Sequence, residues 1–432
     1  MKKIKYKHLE KMTVKFGSLT VGTLTHTADG PFFSYTDSWI NNGIELSPLN
    51  WPLRAEEYPP SISHSDGKLP GFIADSLPDT FGKQIMLSYF EEKGLIDPNP
   101  LDLLAIVGNR GTGALTYHPE DKDFIESSQS VISEIKLGRL AREAGDVIAK
   151  LNDGKISNIL LRNASSIGGA RPKMRIFIAD DNRFYGIAAT KNKKLKGDHY
   201  ILKFDQNNEG WGKIEYAYAQ LAKDSGISVP DCRIVKAVRE DGAELFNFAI
   251  KRFDIVDGKR LHYHSAAGYY NRSINPFLVQ GDYAELADAL NQLGTFASDK
   301  EELLRRCVFN ILTHNLDDHF KNFGFCISED GRWSLSPAFD LCYTEPGQAW
   351  LTPYGRCTKV MGHSRDVIKK DVFEFASFSG IRKTQVIAII EQIQSQTEEW
   401  LKYAEENSIH EKLAVKIDSV MKSTSEKFHA KK

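Results

Sequence analysis

The chain has few cysteines, almost no net charge and no long apolar run. Its five cysteines include no C-x-x-C pair, which argues against a zinc ribbon and a disulfide framework. A formal net charge of −1 disfavours a dedicated nucleic-acid binder, since such proteins are usually clearly basic. No apolar stretch follows the basic start Met1–Lys5, so we expect neither a secretion signal nor a membrane span, and a cytoplasmic location.

A length of 432 residues allows more than one hydrophobic core. The hydrophobic pattern divides the chain into three expected parts: an N-terminal α/β subdomain over 1–135, a β-rich lobe over 136–255 and a helical lobe over 256–432. The last residues, Ser423–Lys432, are highly charged, and we expect a frayed end there.

The N-terminal part shows a clear order of elements. A strand hairpin is predicted over Met12–Leu24, a third strand over Pro31–Tyr35 and a helix over Pro70–Glu92. The glycine-rich stretch Gly108–Ala114 resembles a phosphate-binding loop but lacks its lysine. We therefore interpret this stretch as a tight turn before a strand.

The most informative motif lies in the last third of the chain. Asn322 follows Asp317 by five positions, and Asp340 comes after a predicted hairpin. This spacing is typical of protein kinases, where the first Asp accepts a hydroxyl proton and the Asn and second Asp hold magnesium. Leu316 stands where kinases usually carry an Arg before the catalytic Asp.

Two other interpretations of this motif remain open. One is a helix end closed by a polar loop, whose Asn and Asp side chains cap backbone groups. The other is a metal-hydrolase site, since imidazole and carboxylate ligands cluster here. Its ligands would be His314, Asp317, Asp318 and His319.

A small glycine-bearing loop precedes the strand predicted over Met174–Ala179. The loop contains Ser165, Ser166, Ile167, Gly168, Gly169, Ala170, Arg171, Pro172 and Lys173. Because glycine has no Cβ, the backbone amides of such a loop can approach phosphate oxygens closely. The pattern therefore predicts a phosphate-binding loop.

Lys203 lies inside the apolar strand predicted over Tyr200–Phe204, where a lone cation is costly unless it meets an anion. A phosphate and Glu215, early in the helix predicted over Ile214–Ser225, are the candidate partners. Alternatively, Lys203 snorkels to solvent from a strand edge and Glu215 is favoured by the helix dipole. Two strands joined by a turn at Arg239–Gly242 follow this helix.

Together these motifs resemble HipA-type serine/threonine kinases, the toxins of bacterial type II toxin–antitoxin pairs. The resemblance covers most of residues 160–345 and rests on six segments: Ser166–Lys173, Tyr200–Phe204, Gly226–Asp231, Lys251–Asp254, Asn315–Asn322 and Ser336–Leu341. It implies an α+β, two-lobed kinase-like fold with an N-terminal α/β subdomain, a β-rich nucleotide lobe and a helical C-terminal lobe. The best-known members carry Gln-Glu at the place of Arg171-Pro172, and Glu at the place of Lys251.

The resemblance also implies ATP and Mg2+ as cofactors. Asp317 corresponds to the catalytic base, Asn322 and Asp340 to the magnesium ligands, and Glu215 to the ion-pair partner of Lys203. Ser166 corresponds to the serine that such kinases autophosphorylate as an off switch. Nucleotide contacts are expected from Ser166, Ile167, Gly168, Gly169, Ala170, Lys173, Lys203, Phe253, His319 and Lys321.

The partners implied by the resemblance are a helix-turn-helix antitoxin of the HipB type, operator DNA through that antitoxin, and a protein substrate in translation. Two alternatives stay open: a small-molecule phosphotransferase on the same scaffold, and a pseudokinase that bridges antitoxin dimers on DNA. The intact set of Lys203, Asp317, Asn322 and Asp340 argues against the pseudokinase. The basic cluster Lys191–Lys196 predicts either a solvated hairpin tip or a docking patch for an acidic or RNA-bound substrate.

Overall fold

The computed structural model describes residues 7–62, 67–78, 80–121, 131–149, 157–164, 171–186, 195–205, 207–272, 281–328, 331–345 and 355–430. The chain forms two compact units. The first comprises Met1–Glu209, Arg233–His264 and Gly268–Ser273, and the second comprises Gly210–Cys232, Ser265–Ala267 and Ile274–Lys432. The division into 1–135, 136–255 and 256–432 stays a prediction. Across the described ranges, no helix is long and apolar enough to cross a membrane.

The first unit begins with a four-stranded antiparallel sheet in the order β3-β2-β1-β4. Its strands are β1 (Lys11–Phe16), β2 (Leu19–Thr27), β3 (Gly30–Tyr35) and β4 (Leu115–His118). Gly17 has a φ of 57°, a left-handed conformation that suits the tight turn between β1 and β2. Val14, Leu24 and Phe33 are fully buried, so this sheet contributes one face to a core. The predicted hairpin and third strand are therefore confirmed.

Four helices lie between β3 and β4 in sequence: α1 (Asp37–Asn42), α2 (Gly71–Ala74), α3 (Thr80–Glu92) and α4 (Pro100–Val107). The helix predicted over Pro70–Glu92 is thus wrong between α2 and α3. Pro78 explains the interruption, because proline has no N–H to donate and its ring clashes with the preceding helical turn. α4 begins with a capping box, in which Asn99 and Asp102 each accept a hydrogen bond from the other's main-chain N–H.

A six-stranded sheet in the order β5-β7-β6-β8-β10-β9 completes the core of the first unit. Its strands are β5 (Val131–Ile132), β6 (Lys173–Ala179), β7 (Phe184–Tyr185), β8 (Gly197–Lys203), β9 (Cys232–Val238) and β10 (Glu244–Lys251). Helices α5 (Glu134–Ile148) and α6 (Asn158–Ala164) lie between β5 and β6 in sequence. Met174, Ile176 and Leu202 pack in one hydrophobic cluster with Leu137 and Leu160 of these helices. One face of the sheet is thereby buried against apolar side chains.

Short elements follow this sheet in the chain. β11 (Ile255–Val256) and β12 (Lys259–Arg260) pair with each other in antiparallel fashion. β13 (His262–Ser265) and α8 (Ala266–Tyr269) come next.

The second unit is mainly helical. It contains α7 (Trp211–Asp224), β14 (Gly281–Asp282), α9 (Tyr283–Gln292), α10 (Ala297–Leu312), β15 (Gly324–Ile327), β16 (Trp333–Leu335), β17 (Thr358–Lys359), α11 (Lys369–Phe378), α12 (Lys383–Glu398), α13 (Trp400–Glu406) and α14 (Glu411–Phe428). β15 and β16 form an antiparallel hairpin, and β14 pairs with β17 in parallel. The frayed end expected over Ser423–Lys432 is wrong as far as Phe428, because that side chain is fully buried and holds the end of α14.

Candidate active site

The candidate catalytic loop follows α10 in the second unit and ends in a 3-10 turn over Phe320–Asn322. The Thr313 hydroxyl donates to Phe309 O (2.7 Å) at the end of α10. His314 then takes a left-handed φ of 56°, which turns the chain out of the helix. Asn315 N donates to Asn310 O (3.0 Å) and Asn315 Nδ2 to Asn310 Oδ1 (3.0 Å), so main chain and side chain of Asn315 both tie the loop to the last turns of α10.

Thr344 fastens the start of this loop. Its main-chain N–H donates to His314 O (3.1 Å), and its Oγ1 accepts from Leu316 N (3.0 Å). Tyr218 on α7 adds a third tie by donating its hydroxyl to Thr313 O (2.7 Å). The backbone that leads into Asp317 is therefore held by two other parts of the second unit.

The loop brings Asp317, His319 and Asn322 together. Asn322 Nδ2 donates to the main-chain O of Asp317 over 2.8 Å, which leaves the amide oxygen of Asn322 as its possible cation ligand. The Asp317 side chain is 41% exposed, and its Oδ1 lies 4.0 Å from His319 Nε2. Cys357 Sγ lies 3.9 Å from the same oxygen. A partly exposed carboxylate in this position can accept a proton from an incoming hydroxyl.

Asp340 lies beyond the β15–β16 hairpin, on a segment that is fixed at several points. Ser336 N donates to Gly324 O (2.8 Å), and Ala338 N donates to Ser228 O (2.7 Å). Asp340 itself has a left-handed φ of 55°, a conformation that is uncommon outside glycine and frequent at functional sites.

The metal-hydrolase interpretation has little support. Within the described part of the chain, no three His, Cys, Asp or Glu side chains lie together as a metal cluster. His314 Nδ1 lies 3.3 Å from Thr424 Oγ1, and burial lowers the pKa of His314 to about 4. Magnesium needs fewer protein ligands, because it keeps waters and binds substrate phosphates. The amide oxygen of Asn322 and the carboxylate of Asp340 are hard oxygen donors that suit this ion.

Asp318 faces the opposite environment from its neighbour Asp317. Its side chain is fully buried, and Oδ2 accepts hydrogen bonds from Arg356 Nε (3.1 Å), Arg356 Nη2 (2.8 Å) and the Tyr283 hydroxyl (3.0 Å). Burial alone would lower the pKa of Arg356, but the Asp318 carboxylate raises it above its ordinary value. The sequence alone gives Arg356 no role. The feature of the sequence that marks this contact is Asp318, the second Asp of the Asp317-Asp318 pair.

In the first unit, the structure places Lys173 and Lys203 side by side. They are directly opposite each other on β6 and β8, so their side chains share one face of the sheet. Phe248 is the partner of Lys203 on β10, and the Lys203 ammonium lies 5.6 Å from the centre of its ring. Two like charges directly opposite each other on adjacent strands are unfavourable by themselves.

Further along the same unit lies a group of four arginines and one carboxylate, in which Arg175, Arg252 and Asp254 are buried and the other two arginines are half-buried. The arginines are Arg110, Arg175, Arg252 and Arg260. Arg252 binds Asp254 through Nε (2.9 Å to Oδ1) and Nη2 (2.5 Å to Oδ2). Burial lowers the pKa of Arg175, and the charges of the other three arginines lower it further. Burial also lowers the pKa of His199 to about 4, together with Arg252 and Arg175.

The glycine-rich turn Gly108–Ala114 is fastened to this group. Gly113 N donates to Asp254 Oδ2 (2.8 Å), and Arg252 Nη2 donates to Gly111 O (3.1 Å). Gly113 has a φ of 80°, and β4 begins two residues later. The interpretation of this stretch as a tight turn before a strand is confirmed.

Several expected site residues stay predictions. Ser165, Ser166, Ile167, Gly168, Gly169 and Ala170 lie outside the described residues, as do Lys191–Lys194 of the basic cluster. Glu215 is buried on α7 in the second unit while Lys203 belongs to the first, so their pairing is untested. Phe253 packs against Tyr263, with ring centres 5.7 Å apart. Lys251 forms an ion pair with Asp198 (2.9 Å).

Comparisons with known proteins agree with the motifs. A model of the HipA-like C-terminal domain matches residues 165–401, and one of the HipA N-terminal domain matches residues 12–118. The serine/threonine-protein kinase toxin HipA of Shewanella oneidensis is 23% identical over 356 residues, which cover 76% of this chain and 74% of that protein. The putative kinase Y4dM of Sinorhizobium fredii is 25% identical over 343 residues, covering 76% and 75%.

A solved structure shows the same fold. A chain of the Shewanella oneidensis MR-1 toxin–antitoxin complex of HipA, HipB and operator DNA superposes with a TM-score of 0.65 at 18% identity. The match covers 96% of this chain and 95% of that chain. The mixed helix and sheet architecture expected from the motifs, a kinase-like fold, is therefore confirmed.

Proposed function

Because the chain belongs to the HipA family of kinase toxins, we propose that it is an ATP- and magnesium-dependent protein serine/threonine kinase. One observation carries the proposal. The hydrogen bond from Asn322 Nδ2 to the Asp317 carbonyl fixes the position of a candidate magnesium ligand relative to the backbone of the candidate base. Kinase chemistry needs such fixed positions, since phosphoryl transfer is promoted mainly by orientation and charge neutralisation.

Each candidate site residue on the catalytic loop and at Asp340 has a defined role in this proposal. Asp317 accepts the proton of the attacking hydroxyl, and its exposed carboxylate allows that approach. Asn322 and Asp340 would hold magnesium, which when bound neutralises charge on the nucleotide phosphates. His319 and Lys321, on the same loop, would contact the nucleotide.

The first unit would bind the rest of the nucleotide. Lys173 and Lys203 lie opposite each other and offer two positive charges to phosphate oxygens. Main-chain amides of Ser166 to Ala170 would add donors, and Phe253 would pack against adenine. Glu215 would orient Lys203 through an ion pair, as in other kinases.

Phosphoryl transfer is the direct test. The purified chain is incubated with γ-labelled ATP, with magnesium or with EDTA, and products are followed by autoradiography and mass spectrometry. We expect magnesium-dependent transfer to serine or threonine. Label on a small molecule and on no protein would favour the alternative phosphotransferase, and ATP binding without any transfer would favour the pseudokinase.

We further propose that the chain is the toxin of a toxin–antitoxin pair and acts in the cytoplasm on a protein of translation. The matched Shewanella structure contains HipB and operator DNA, and this chain's charge of −1 suggests that any DNA contact passes through a basic partner. Expression of the chain alone should slow growth, and co-expression of a neighbouring helix-turn-helix protein should relieve the effect. Harmless expression of a chain with measurable kinase activity would exclude the toxin role.

Ser166 is the proposed off switch. A phosphate on this residue adds about −1.5 to −2 charge at neutral pH, which would compete with ATP for the same amides and for Lys173 or Lys203. Phosphopeptide mapping after incubation with ATP should find Ser166 modified, with Ser165 as the neighbouring alternative. A Ser166→Asp protein that binds ATP as tightly as the parent would exclude the switch, and Ser166→Ala is the matched control.

A further inference from the structure

The catalytic loop has a second, buried attachment, centred on Asp318. Both oxygens of the Asp318 side chain are used: Oδ2 accepts from Arg356 and Tyr283, and Oδ1 accepts from Thr358 N (3.1 Å). The Asp318 side chain has no exposed surface and that of Arg356 has 3%. All these residues belong to the second unit.

Three consecutive residues, Arg356, Cys357 and Thr358, bind the two loop residues on either side of Asp317. Arg356 binds the Asp318 side chain, Cys357 N donates to Leu316 O (2.9 Å), and the Thr358 hydroxyl donates to Asp318 O. Asp317 lies between the two loop residues that are held. The loop backbone on both sides of the proposed base is therefore fixed by the segment Arg356–Thr358.

The two aspartates divide their tasks by environment. Asp317 is 41% exposed and Asp318 is fully buried, so the neighbouring side chains point to opposite environments. Nε and Nη2 of Arg356 both donate to Asp318, and the 3% exposure of the Arg356 side chain leaves almost no surface for a substrate. Tyr283 is itself held, because its oxygen accepts from Asn310 Nδ2 (3.0 Å).

We propose that the buried Asp318–Arg356 ion pair is a positioning device for phosphoryl transfer. Neither side chain touches the reactants; the pair sets the direction in which the Asp317 carboxylate points. The inference rests on the proposed kinase function. A charged pair suits this task because two hydrogen bonds from one guanidinium fix orientation as well as distance.

Kinetics of three variants test the pair. Asp318→Asn keeps the shape of the side chain but removes its charge, Arg356→Met removes the guanidinium, and the double variant removes both charges together. We expect each single variant to lower kcat about 100-fold, the cost typical of a misplaced catalytic group, with KM for ATP changed less than about threefold. Arg356→Lys, which keeps the charge but not the paired geometry, should fall between these variants and the parent.

The double variant separates positioning from folding. A single variant leaves one buried charge uncompensated, whereas the double variant does not, so much of the lost thermal stability should return. If the pair positions Asp317, kcat of the double variant stays at least about tenfold below the parent despite that recovery. If kcat recovers together with stability, the pair is only structural and the inference is overturned.

Hydrogen exchange supplies a readout that needs no activity. The amides of Cys357 and Thr358 should exchange at least about tenfold faster in Asp318→Asn, because their protection depends on the attached loop. Asp102→Asn is the matched control: Asp102 is fully buried, accepts from Leu9 N (2.9 Å) and Asn99 N (2.9 Å), and lies in the first unit. It should leave kcat and these two amides unchanged.

The two readouts keep the two claims apart. If the parent chain transfers no phosphate, the proposed function fails, while exchange at Cys357 and Thr358 still decides whether the pair orders the loop. If the parent is active and neither kcat nor exchange changes in the pair variants, the inference fails and the proposed function stands.

Discussion

Each unit of the molecule contains a buried Arg–Asp ion pair, and the two pairs differ in the sequence separation of their partners. Arg252 and Asp254 in the first unit are two residues apart and make two parallel hydrogen bonds, one to each carboxylate oxygen. Arg356 and Asp318 in the second unit are 38 residues apart, and both guanidinium donors share one oxygen. The other oxygen of Asp318 is thereby left for Thr358.

Their surroundings differ as much as their spacing. The charges near Asp254 are mainly those of arginines, so burial would raise its pKa but Arg252 and Arg260 lower it. The other direct partners of Asp318 are the neutral donors Tyr283 and Thr358. The first pair therefore offsets an excess of buried positive charge, while the second joins two distant segments. An Arg–Asp pair therefore balances charge in the first unit and connects two distant segments of the chain in the second.

The largest expected effect on activity comes from two aspartates that belong to neither ion pair. Asp317→Asn should lower kcat about 1000-fold, the usual contribution of a general base, without loss of thermal stability. Asp340→Asn should also abolish transfer, and it should weaken magnesium-dependent ATP binding more than Asp317→Asn does. Transfer assays and ATP titrations with and without magnesium measure both. Comparable turnover in either variant would contradict the assigned roles.

Removal of the first pair's carboxylate should be the most damaging change to stability. Asp254→Asn leaves buried arginines without their anion, and we expect unfolding free energy to fall by about 3–5 kcal/mol in urea titrations. Arg239 and Asp241 provide the control, with the same two-residue spacing and a 2.6 Å contact but an exposed position. Asp241→Asn should cost at most about 1 kcal/mol. Equal losses in the two variants would show that burial does not set the strength of the pair.

Acid should weaken the first unit through His262. Burial, with a contribution from His264, lowers the pKa of His262 from 6.5 to about 3, so it is neutral when folded and gains a proton on unfolding. The stability that the folded protein gains from neutral His262 is fully present above pH 6.5 and is lost as the pH falls toward about 3. Between pH 7 and pH 5 the expected loss is about 2 kcal/mol.

His262→Gln is the variant that checks this prediction, by urea unfolding at both pH values. It should reduce the acid-induced loss relative to the parent, while His199 and His314 still contribute in both proteins. The carboxylate of Asp254 does not interfere, because its lowered pKa places its titration below this window. An identical loss in parent and variant would rule out His262 as the titrating group.

The smallest expected effect comes from Tyr283, an uncharged hydrogen-bond donor to Asp318. Tyr283→Phe removes one of the hydrogen bonds to Asp318 and should cost about 1 kcal/mol of stability, with kcat reduced less than about tenfold. Tyr403 donates to Asp224 Oδ2 (2.6 Å) in the same unit, so Tyr403→Phe is the control. Only the Tyr283 variant should change kcat. A loss in Tyr283→Phe as large as in Asp318→Asn would mean that the hydroxyl, rather than the charge, orients the loop.

The two pairs also mark the limit of prediction from sequence. Arg252 and Asp254 stand in one short motif, as do Asp317 and Asn322, and local spacing is legible in a sequence. Lys173 and Lys203 were each predicted, but their direct opposition depends on the strand register of β6 and β8, which alternation alone does not determine. The Asp318–Arg356 pair spans 38 positions without any periodic signal, so only the folded chain reveals it.

Errors at helix ends had simpler causes. The interruption between α2 and α3 was legible at Pro78, whose ring does not fit a helix interior. α14 was misjudged from its charged residues, since one buried aromatic, Phe428, outweighs several exposed lysines in fixing a helix end.

α14 reaches the catalytic loop: Thr424 Oγ1 lies 3.3 Å from His314 Nδ1, and Trp400 Nε1 donates to Ala414 O (3.0 Å). A stop codon ahead of Thr424 would remove both the contact to His314 and the buried Phe428, although every proposed site residue would still be translated. If the chain is toxic as proposed, late nonsense mutations should therefore appear among survivors of a selection against the expressed chain, and an affinity tag fused directly after Phe428 would strain the same attachment.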